Sequence, residues 1–401
     1  MRERTIGGLA VFAAFLIAAP PPTLAAQYFG QNKVQYRNFS FQSIQTEHFD
    51  IYYYPDERVG ALDAARMAER AYARLSRILH HQFQSRKPII LYASQSDFQQ
   101  TNVVDASGEG LGGVTEFFKH RAVLPFTGSY AEFEHVLQHE MVHQFQYDVY
   151  SRGRPGAGVQ TLMSVNPPLW FMEGMAEYLS RGPIDPETAM WLRDAALEGH
   201  LPSIEDMTAD PGIFPYRYGH ALWAYIGEKW GDEVIGEILQ SSASAGLDAA
   251  FKRALGRSLE DLSNDWRDAI QTTFLPQLGD HYRARRIAQP LLTQRRSSGR
   301  VFLAPALTPD GKSIAFFGDQ GGFFIDLWLA DAETGRVTRR LVRSTMNNNY
   351  ESLRFINSAG SFSPDGRFFA IAAKRKDRDD LVILDVKRGA EERRIDRKSV
   401  V

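Results

Sequence analysis

Two histidines four residues apart constrain this chain more than any other feature. They occur in the pentapeptide His139-Glu140-Met141-Val142-His143. On an α-helix, residues four apart lie on the same face, so both imidazoles can bind one metal ion. Glu140 follows His139 directly, which places a carboxylate beside the metal as a general base for a water molecule. The motif therefore predicts a helix that carries a metal site.

The residues around the motif favour this helix. Ser129 and Glu132 have the spacing of a capping box, which begins a helix. No Pro or Gly occurs from residue 132 to residue 147, and Val136, Leu137, Val142 and Phe145 give the segment apolar positions to bury. His135 lies four residues before His139, and we expect it in the first turns of the helix, away from the metal.

A third ligand is expected in the segment Leu169–Tyr178, which holds two acidic residues in an apolar run. A zinc site with two histidines needs a third protein ligand and keeps its fourth position open. Glu173 and Glu177 are four apart, so they share a helix face. One can bind the metal while the other accepts the outer N–H of a ligating histidine. The residues alone leave the assignment of these two roles open.

The two motifs together resemble the gluzincin metallopeptidases, which include thermolysin and the zinc aminopeptidases, and the peptidase MA-like group in particular. The resemblance implies that Zn²⁺ is bound by His139, His143 and Glu173. It also implies that Glu140 is the general base and that Glu177 supports a zinc-binding histidine, although the sequence leaves an exchange of Glu173 and Glu177 open.

The same resemblance implies a hydrogen-bond donor for the oxyanion of the reaction. Tyr216 lies three residues before Gly219, the spacing found in zinc aminopeptidases, and Tyr218 and His220 are the alternatives. In gluzincins the strand before the motif helix is an edge strand that pairs with an extended peptide. We therefore expect residues 121–126 to form an edge strand, which Pro125 would suit.

Composition and the N-terminus indicate an exported bacterial protein. Residues 1–26 combine a charged start, an apolar stretch and a small-residue cleavage site, as in a signal peptide. The chain of 401 residues has no cysteine, which excludes disulfides and a lipid-modified cysteine anchor. Its formal net charge of −2 gives no nucleic-acid footprint. We expect a periplasmic or secreted protein with no membrane span after signal removal.

The chain changes character after residue 285. Residues 307–312 match residues 362–367, each with a Pro-Asp-Gly turn followed by an apolar strand, and residues 326–331 match residues 380–385. Repeats of this size with paired strands are typical of propeller blades, and these resemble TolB-type blades. A propeller closes with about four to eight blades. Two blades' worth of repeats therefore predict an incomplete all-β propeller, and we expect the sequence to be truncated.

These observations predict a multidomain protein. Residues 1–26 form the signal peptide, residues 27–285 an α+β zincin-type metallopeptidase domain, and residues 286–401 the propeller fragment. The predicted function is hydrolysis of peptide bonds by an exported zinc peptidase, with the propeller binding a substrate or an envelope partner. The alternatives are a non-catalytic envelope scaffold protein and a zinc hydrolase that acts on non-peptide amides.

Overall fold

The structure is a computed structural model, and it describes residues 36–102, 110–153, 159–279, 281–320, 322, 324–344, 350–356, 359–376 and 378–396. The predicted signal peptide at residues 1–26 lies outside these ranges. Within them the chain is mixed α/β, with three sheets, none of which closes into a barrel. None of the described helices combines the length and apolar character that crossing a bilayer requires.

A five-stranded sheet forms the first layer, in the order β1-β2-β3-β5-β4. Strands β2, β3 and β5 are parallel, and the outer strands β1 and β4 run antiparallel to their neighbours. The strands are β1 (Gln42–Gln45), β2 (Phe49–Tyr53), β3 (Lys87–Tyr92), β4 (Val114–Glu116) and β5 (Arg121–Pro125).

The expectation that residues 121–126 form an edge strand is wrong. β5 pairs with β3 on one side and with β4 on the other, so the edge beside the motif helix belongs to β4. Pro125 is accommodated because it is the last residue of β5. The N–H of Phe126, the next residue, donates to the carbonyl oxygen of Tyr92 at 2.8 Å, so the pairing with β3 continues past the proline. Proline also occurs where a strand ends, so Pro125 does not by itself identify an edge strand.

Helices pack against this sheet and against one another to form one large core. The motif helix is α3, which begins at the predicted cap: the Ser129 hydroxyl accepts from the Glu132 N–H. Val142 and Phe145 on α3 are fully buried. The helices of this half are α1 (Arg58–Ile78), α2 (Gln95–Phe98), α3 (Tyr130–Tyr150), α4 (Val159–Val165), α5 (Leu169–Arg181), α6 (Pro186–Glu198), α7 (Ile204–Ala209), α8 (Pro215–Trp230), α9 (Glu233–Ala245), α10 (Leu247–Leu255) and α11 (Leu259–Phe274).

Helices α5 and α8 approach each other closely through two glycines. A Cβ placed on Gly174 would lie 2.4 Å from the carbonyl carbon of Gly219, and a Cβ on Gly219 would lie 2.5 Å from the carbonyl oxygen of Trp170. No side chain larger than hydrogen fits at either position without moving the backbones apart. This contact fixes the acidic residues of α5 relative to the tyrosine-rich start of α8.

The C-terminal part consists of short helices followed by two antiparallel sheets. One sheet has the order β6-β7-β8-β9, and the other has the order β10-β12-β13-β14, with β11 paired to β12. The elements are α12 (Ala284–Ile287), α13 (Gln294–Ser297), β6 (Phe302–Leu307), β7 (Ser313–Gly318), β8 (Asp326–Asp331), β9 (Val337–Val342), β10 (Ser352–Arg354), β11 (Ser361–Phe362), β12 (Phe368–Arg375), β13 (Arg378–Asp385) and β14 (Ala390–Asp396).

The sequence repeat corresponds to a repeated turn in these sheets. Gly311 and Gly366 both have a left-handed backbone, with φ of 71° and 68°, and each precedes the strand that the repeat predicts. Before each glycine an aspartate accepts a hydrogen bond from a hydroxyl: Thr308 donates to Asp310 at 2.7 Å, and Ser363 donates to Asp365 at 2.5 Å. The two units therefore share their local turn chemistry as well as their sequence.

Candidate metal centre

His139 and His143 lie one turn apart on α3, and both are almost fully buried. Their Nε2 atoms are 3.2 Å apart, and their rings are tilted by 77°. The i, i+4 spacing on a regular helix is sufficient to produce this convergence. The structure therefore brings the two histidines of the motif together as the sequence predicts.

Glu173 on α5 supplies a third donor atom to the same point. Its Oε2 lies 3.2 Å from Nε2 of His139 and 3.2 Å from Nε2 of His143. The three donors thus form a triangle with equal sides. A tetrahedral zinc ion with bonds of about 2.0–2.1 Å has neighbouring ligand atoms separated by about 3.3–3.4 Å. The donor types and their spacing fit that ion.

The outer nitrogen of His143 is held by Gln146, one helical turn further along α3. His143 Nδ1 is 2.7 Å from Gln146 Oε1, and the Gln146 amide donates to the carbonyl of Met172 at 3.0 Å. A ligating histidine needs such an acceptor to fix its ring and to present Nε2 to a metal. The sequence argument missed Gln146, although its i+3 position relative to His143 was a usable signal.

Glu177 stands on the outer side of His139. Its Oε1 is 3.2 Å from His139 Nδ1, within ion-pairing distance, although the ring is turned away from an aligned hydrogen bond. The same oxygen lies 3.4 Å from His135 Nε2. Glu173 faces the converging nitrogens and Glu177 faces the opposite side, which separates the two roles. His135, expected away from the site, instead lies against Glu177.

Two arginines hold the other oxygen of Glu177. Arg181 Nε donates to Glu177 Oε2 at 2.8 Å, and Arg217 donates to it at 3.2 Å. Arg217 also donates to Asp185 at 3.2 Å. His135, His139 and Glu177 are close enough together to be considered a second metal-binding group. Two guanidinium groups on the same carboxylate disfavour a cation there, because like charges would lie close together at a buried site.

The charges at the centre show what a cation would replace. Although burial alone would lower it, the carboxylates of Glu173 and Glu177 raise the pKa of His139 to about 10. Burial would raise the pKa of Glu173, but His143 and His139 hold it well below the usual range. The two histidines therefore hold protons and pair with the Glu173 carboxylate when no metal is present. A divalent cation would take the place of those protons, because a histidine binds a metal only in its neutral form.

Glu140 is buried beside the triangle, and two neighbours set its position. The Thr115 hydroxyl on β4 donates to Glu140 Oε2 at 2.6 Å. Gly113 lies against the other oxygen: a Cβ on Gly113 would be only 2.8 Å from Glu140 Oε1. Burial raises the pKa of Glu140, against the lowering effect of His143 and His139. A carboxylate with a raised pKa is suited to accept a proton near neutral pH.

Of the three candidate oxyanion donors, one faces the centre. The Tyr216 ring lies nearly parallel to the His139 ring, with centroids 6.0 Å apart. Burial and then the charge of Glu173 raise the pKa of its phenol. His220 Nε2 lies 2.8 Å from the carbonyl oxygen of Gly182, and Tyr218 contacts Trp191. The structure thus brings Tyr216 to the centre and leaves Tyr218 and His220 engaged elsewhere.

Comparison with known proteins gives little to set beside this geometry. The chain matches no protein-family model, and no curated protein matches it. Among solved structures it is similar to TolB from Acinetobacter baumannii, at 25% sequence identity and a TM-score of 0.21. The match covers 28% of this chain and 24% of that chain, so the chain spans about a quarter of the length of that protein. At that TM-score the similarity supports no inference about fold or function.

Proposed function

We propose that this chain is an exported zinc metallopeptidase that hydrolyses peptide bonds. The proposal depends on one observation: Nε2 of His139, Nε2 of His143 and Oε2 of Glu173 are mutually 3.2 Å apart, beside a buried carboxylate. These residues would hold the zinc ion. When bound, zinc supplies Lewis acidity that polarises a carbonyl group and makes a neighbouring water a better nucleophile.

The protein's own groups have separate roles in the proposed reaction. Glu140 takes the proton of the attacking water and later delivers it to the leaving nitrogen. Thr115 holds one oxygen of that carboxylate, which leaves the other oxygen to take the proton. Tyr216 donates a hydrogen bond to the carbonyl oxygen as negative charge develops on it. Gln146 and Glu177 orient the two histidines.

The C-terminal strands contact the proposed catalytic half close to the centre. Arg354 on β10 lies 3.4 Å from Ser96 Oγ and 3.4 Å from Gln99 Oε1, at α2. A Cβ on Gly110 would meet the Ile356 side chain. Gly110 is three residues before Gly113, which adjoins Glu140. These contacts favour a role for the strands in presenting substrate or an envelope partner to the site.

The proposal is tested with the parent chain and the E140Q variant, measured for bound zinc and for cleavage of an unstructured protein such as casein. E140Q preserves size and hydrogen bonding but removes the base, so we expect one zinc per chain in both and cleavage in the parent alone. A second variant, H143A, should lose both zinc and activity.

Other outcomes distinguish the alternatives. Zinc in both proteins, without cleavage of casein or a peptide library by either, would favour hydrolysis of a non-peptide amide. A folded, metal-replete parent that binds no zinc would overturn the site and leave the scaffold function in its place.

A further inference from the structure

Tyr147 lies one helical turn after His143, and its ring lies almost parallel to the imidazole. The ring centroids are 6.1 Å apart and the planes differ by 20°. Side chains on a helix lean towards its N-terminus, so the phenol of Tyr147 extends alongside His143 rather than away from it. Phe117, just after β4, contacts the ring edge-on at 5.1 Å and restricts it to this position.

The hydroxyl of Tyr147 has no hydrogen-bond partner among the described residues, which sets it apart from neighbouring tyrosines. The hydroxyl of Tyr150, on the same helix, lies 3.0 Å from Ser242 Oγ. The hydroxyl of Tyr178 donates to Asp232 at 2.7 Å. The Tyr147 side chain is only partly buried, so its hydroxyl is open to solvent or to a molecule that binds at the centre. Tyr147 therefore has a free donor next to a candidate metal ligand.

A phenol carries one O–H group, which can donate a hydrogen bond to an oxygen atom of a molecule bound next to His143.

The two histidines are flanked in the same manner. Tyr216 lies parallel to His139 at 6.0 Å, and Tyr147 lies parallel to His143 at 6.1 Å. We infer that Tyr147 is a second phenol that touches the substrate, donating a hydrogen bond to the reacting carbonyl oxygen from the His143 side. This inference rests on the proposed peptidase function. It adds a residue that the motif resemblance does not assign.

The step requires no further reactant. The water oxygen bonds to the carbonyl carbon, the π electron pair moves to the carbonyl oxygen, and Glu140 receives the water's proton. Tyr147 keeps its own proton and shares it with the new oxyanion in a hydrogen bond. When the C–N bond breaks, the electron pair returns to the carbonyl and Glu140 delivers the proton to nitrogen.

The experiment compares Y147F with Y130F as a matched control. Tyr130 is on the same helix, but its exposed hydroxyl donates to Asp63 at 2.8 Å, far along the helix from His143. Cleavage of a peptide gives kcat and KM. A peptide phosphonamidate, which carries a tetrahedral anion at the scissile position, is titrated separately by calorimetry, and zinc content and thermal stability are recorded.

Removing one oxyanion donor typically lowers kcat about 10²–10³-fold. Removing one of two donors to the same oxyanion should lower kcat somewhat less. We expect Y147F to lower kcat and phosphonamidate affinity about 10–100-fold, with KM within about twofold. Zinc content should match the parent, and Y130F should match the parent throughout.

Three results would overturn the inference, and they are distinguishable. Parental kcat and phosphonamidate affinity in Y147F would remove Tyr147 from the reaction while the peptidase function stands. Loss of zinc or of thermal stability in Y147F, without selective loss of phosphonamidate affinity, would make the residue structural. A zinc-loaded parent that neither cleaves peptides nor binds the phosphonamidate would overturn the proposed function and this inference with it.

Discussion

At the scale of single residues, the donor atoms of His143 and His139 are held in place by neighbouring side chains, Gln146 and Glu177. The helix period fixes where His139 and His143 point, so their convergence follows from spacing alone. Thr115 and Gly113 act on Glu140 through contacts across the fold. Gln146 acts on His143 from one helical turn further along α3. A threonine in a three-residue strand has no sequence signature that connects it to a glutamate 25 positions later.

Gly113 gives a prediction at this scale. In G113A the new methyl would lie about 2.8 Å from Glu140 Oε1, so the carboxylate must shift from the position that Thr115 sets. We expect kcat to fall at least about tenfold, because small displacements of a reacting group are costly. Zinc content should not change, since no donor of the triangle is touched. Zinc content and kcat are measured on the same preparation.

The control for G113A is G112A in the same loop. Its methyl would meet the Val136 side chain at 3.2 Å instead of the Glu140 carboxylate. G112A should keep most of the parental kcat. Equal losses in the two variants would show that the loop, and not the position of Glu140, limits the reaction.

At the scale of elements, types and approximate bounds were predictable and neighbours were not. The capping serine of α3 is a local signal, and the helix begins where that signal predicts. Strand order is a property of the whole sheet. β4 has only three residues, and its position outside β5 made the edge assignment of residues 121–126 wrong. α8 begins at Pro215, so Tyr216 lies in its first turn.

The close contact of α5 and α8 leads to a second prediction. A methyl on Gly219 would lie 2.5 Å from the Trp170 carbonyl oxygen, which is backbone and cannot rotate away. Overpacking of this kind costs about 1–3 kcal/mol or more. We expect G219A to lower the free energy of unfolding by at least that amount, measured by urea denaturation of the metal-free protein. It should also weaken zinc binding, because α5 carries Glu173.

G279A is the matched glycine-to-alanine control, since a Cβ there meets no atom within 4 Å. Its free energy of unfolding should stay within about 0.5 kcal/mol of the parent. If the free energy of unfolding of G219A also stayed within that range, the prediction would be wrong, because α5 and α8 would have separated without loss of packing.

The last turn of α3 contains a buried charge cluster, which predicts a pH dependence of stability. Asp148 is fully buried, 2.7 Å from His81 Nε2 and 3.1 Å from His120 Nδ1, and it also contacts the buried Lys87 ammonium. Burial opposes ionisation, but hydrogen bonds from His120, His81 and Lys87 hold the pKa of Asp148 well below its usual range. Its stabilising contribution is therefore present above the unfolded pKa of about 3.9 and is lost as the pH falls towards the folded pKa.

D148N should test this cluster. At pH 7 the variant leaves Lys87 buried without its carboxylate, and we expect a loss of about 3–5 kcal/mol in the free energy of unfolding. The difference from the parent should shrink below about pH 4, because Asp148 becomes protonated in the unfolded parent while it stays ionised in the folded protein. Urea denaturation of both metal-free proteins from pH 7 to pH 3 measures it. A difference that stays constant over this range would contradict the assignment.

At the scale of the whole molecule, the C-terminal strands and the proposed catalytic half are connected at α2. Arg354 is mostly buried, donates to Asp379 at 2.8 Å within its own sheet, and reaches Ser96 and Gln99 on the other side. The change of character after residue 285 predicts a domain boundary there. No local pattern indicated which face of the first half the strands would contact, because that depends on both folded surfaces.

We predict that R354A loosens this contact. The variant leaves polar groups of α2 without their partner, at a cost of about 1–3 kcal/mol. Amide hydrogen exchange should accelerate in residues 95–99 and 110–116, with little change in α5. The exposed Arg388, whose ion pairs stay within its own sheet, gives the control R388A. Unchanged exchange in R354A would show that the two parts are held together at other points.

β4 is three residues long and, among the described residues, pairs only with β5. Three extended residues span about 10 Å. Under the proposed function, a chain that continues the sheet beyond β4 must offer about that length of backbone with its amide and carbonyl groups unpaired. Folded proteins rarely present such a stretch, whereas damaged or newly exported chains do so throughout. The enzyme would then select its substrates by conformation rather than by side chain, sparing native proteins of the same compartment and hydrolysing those that have lost or not yet reached their fold.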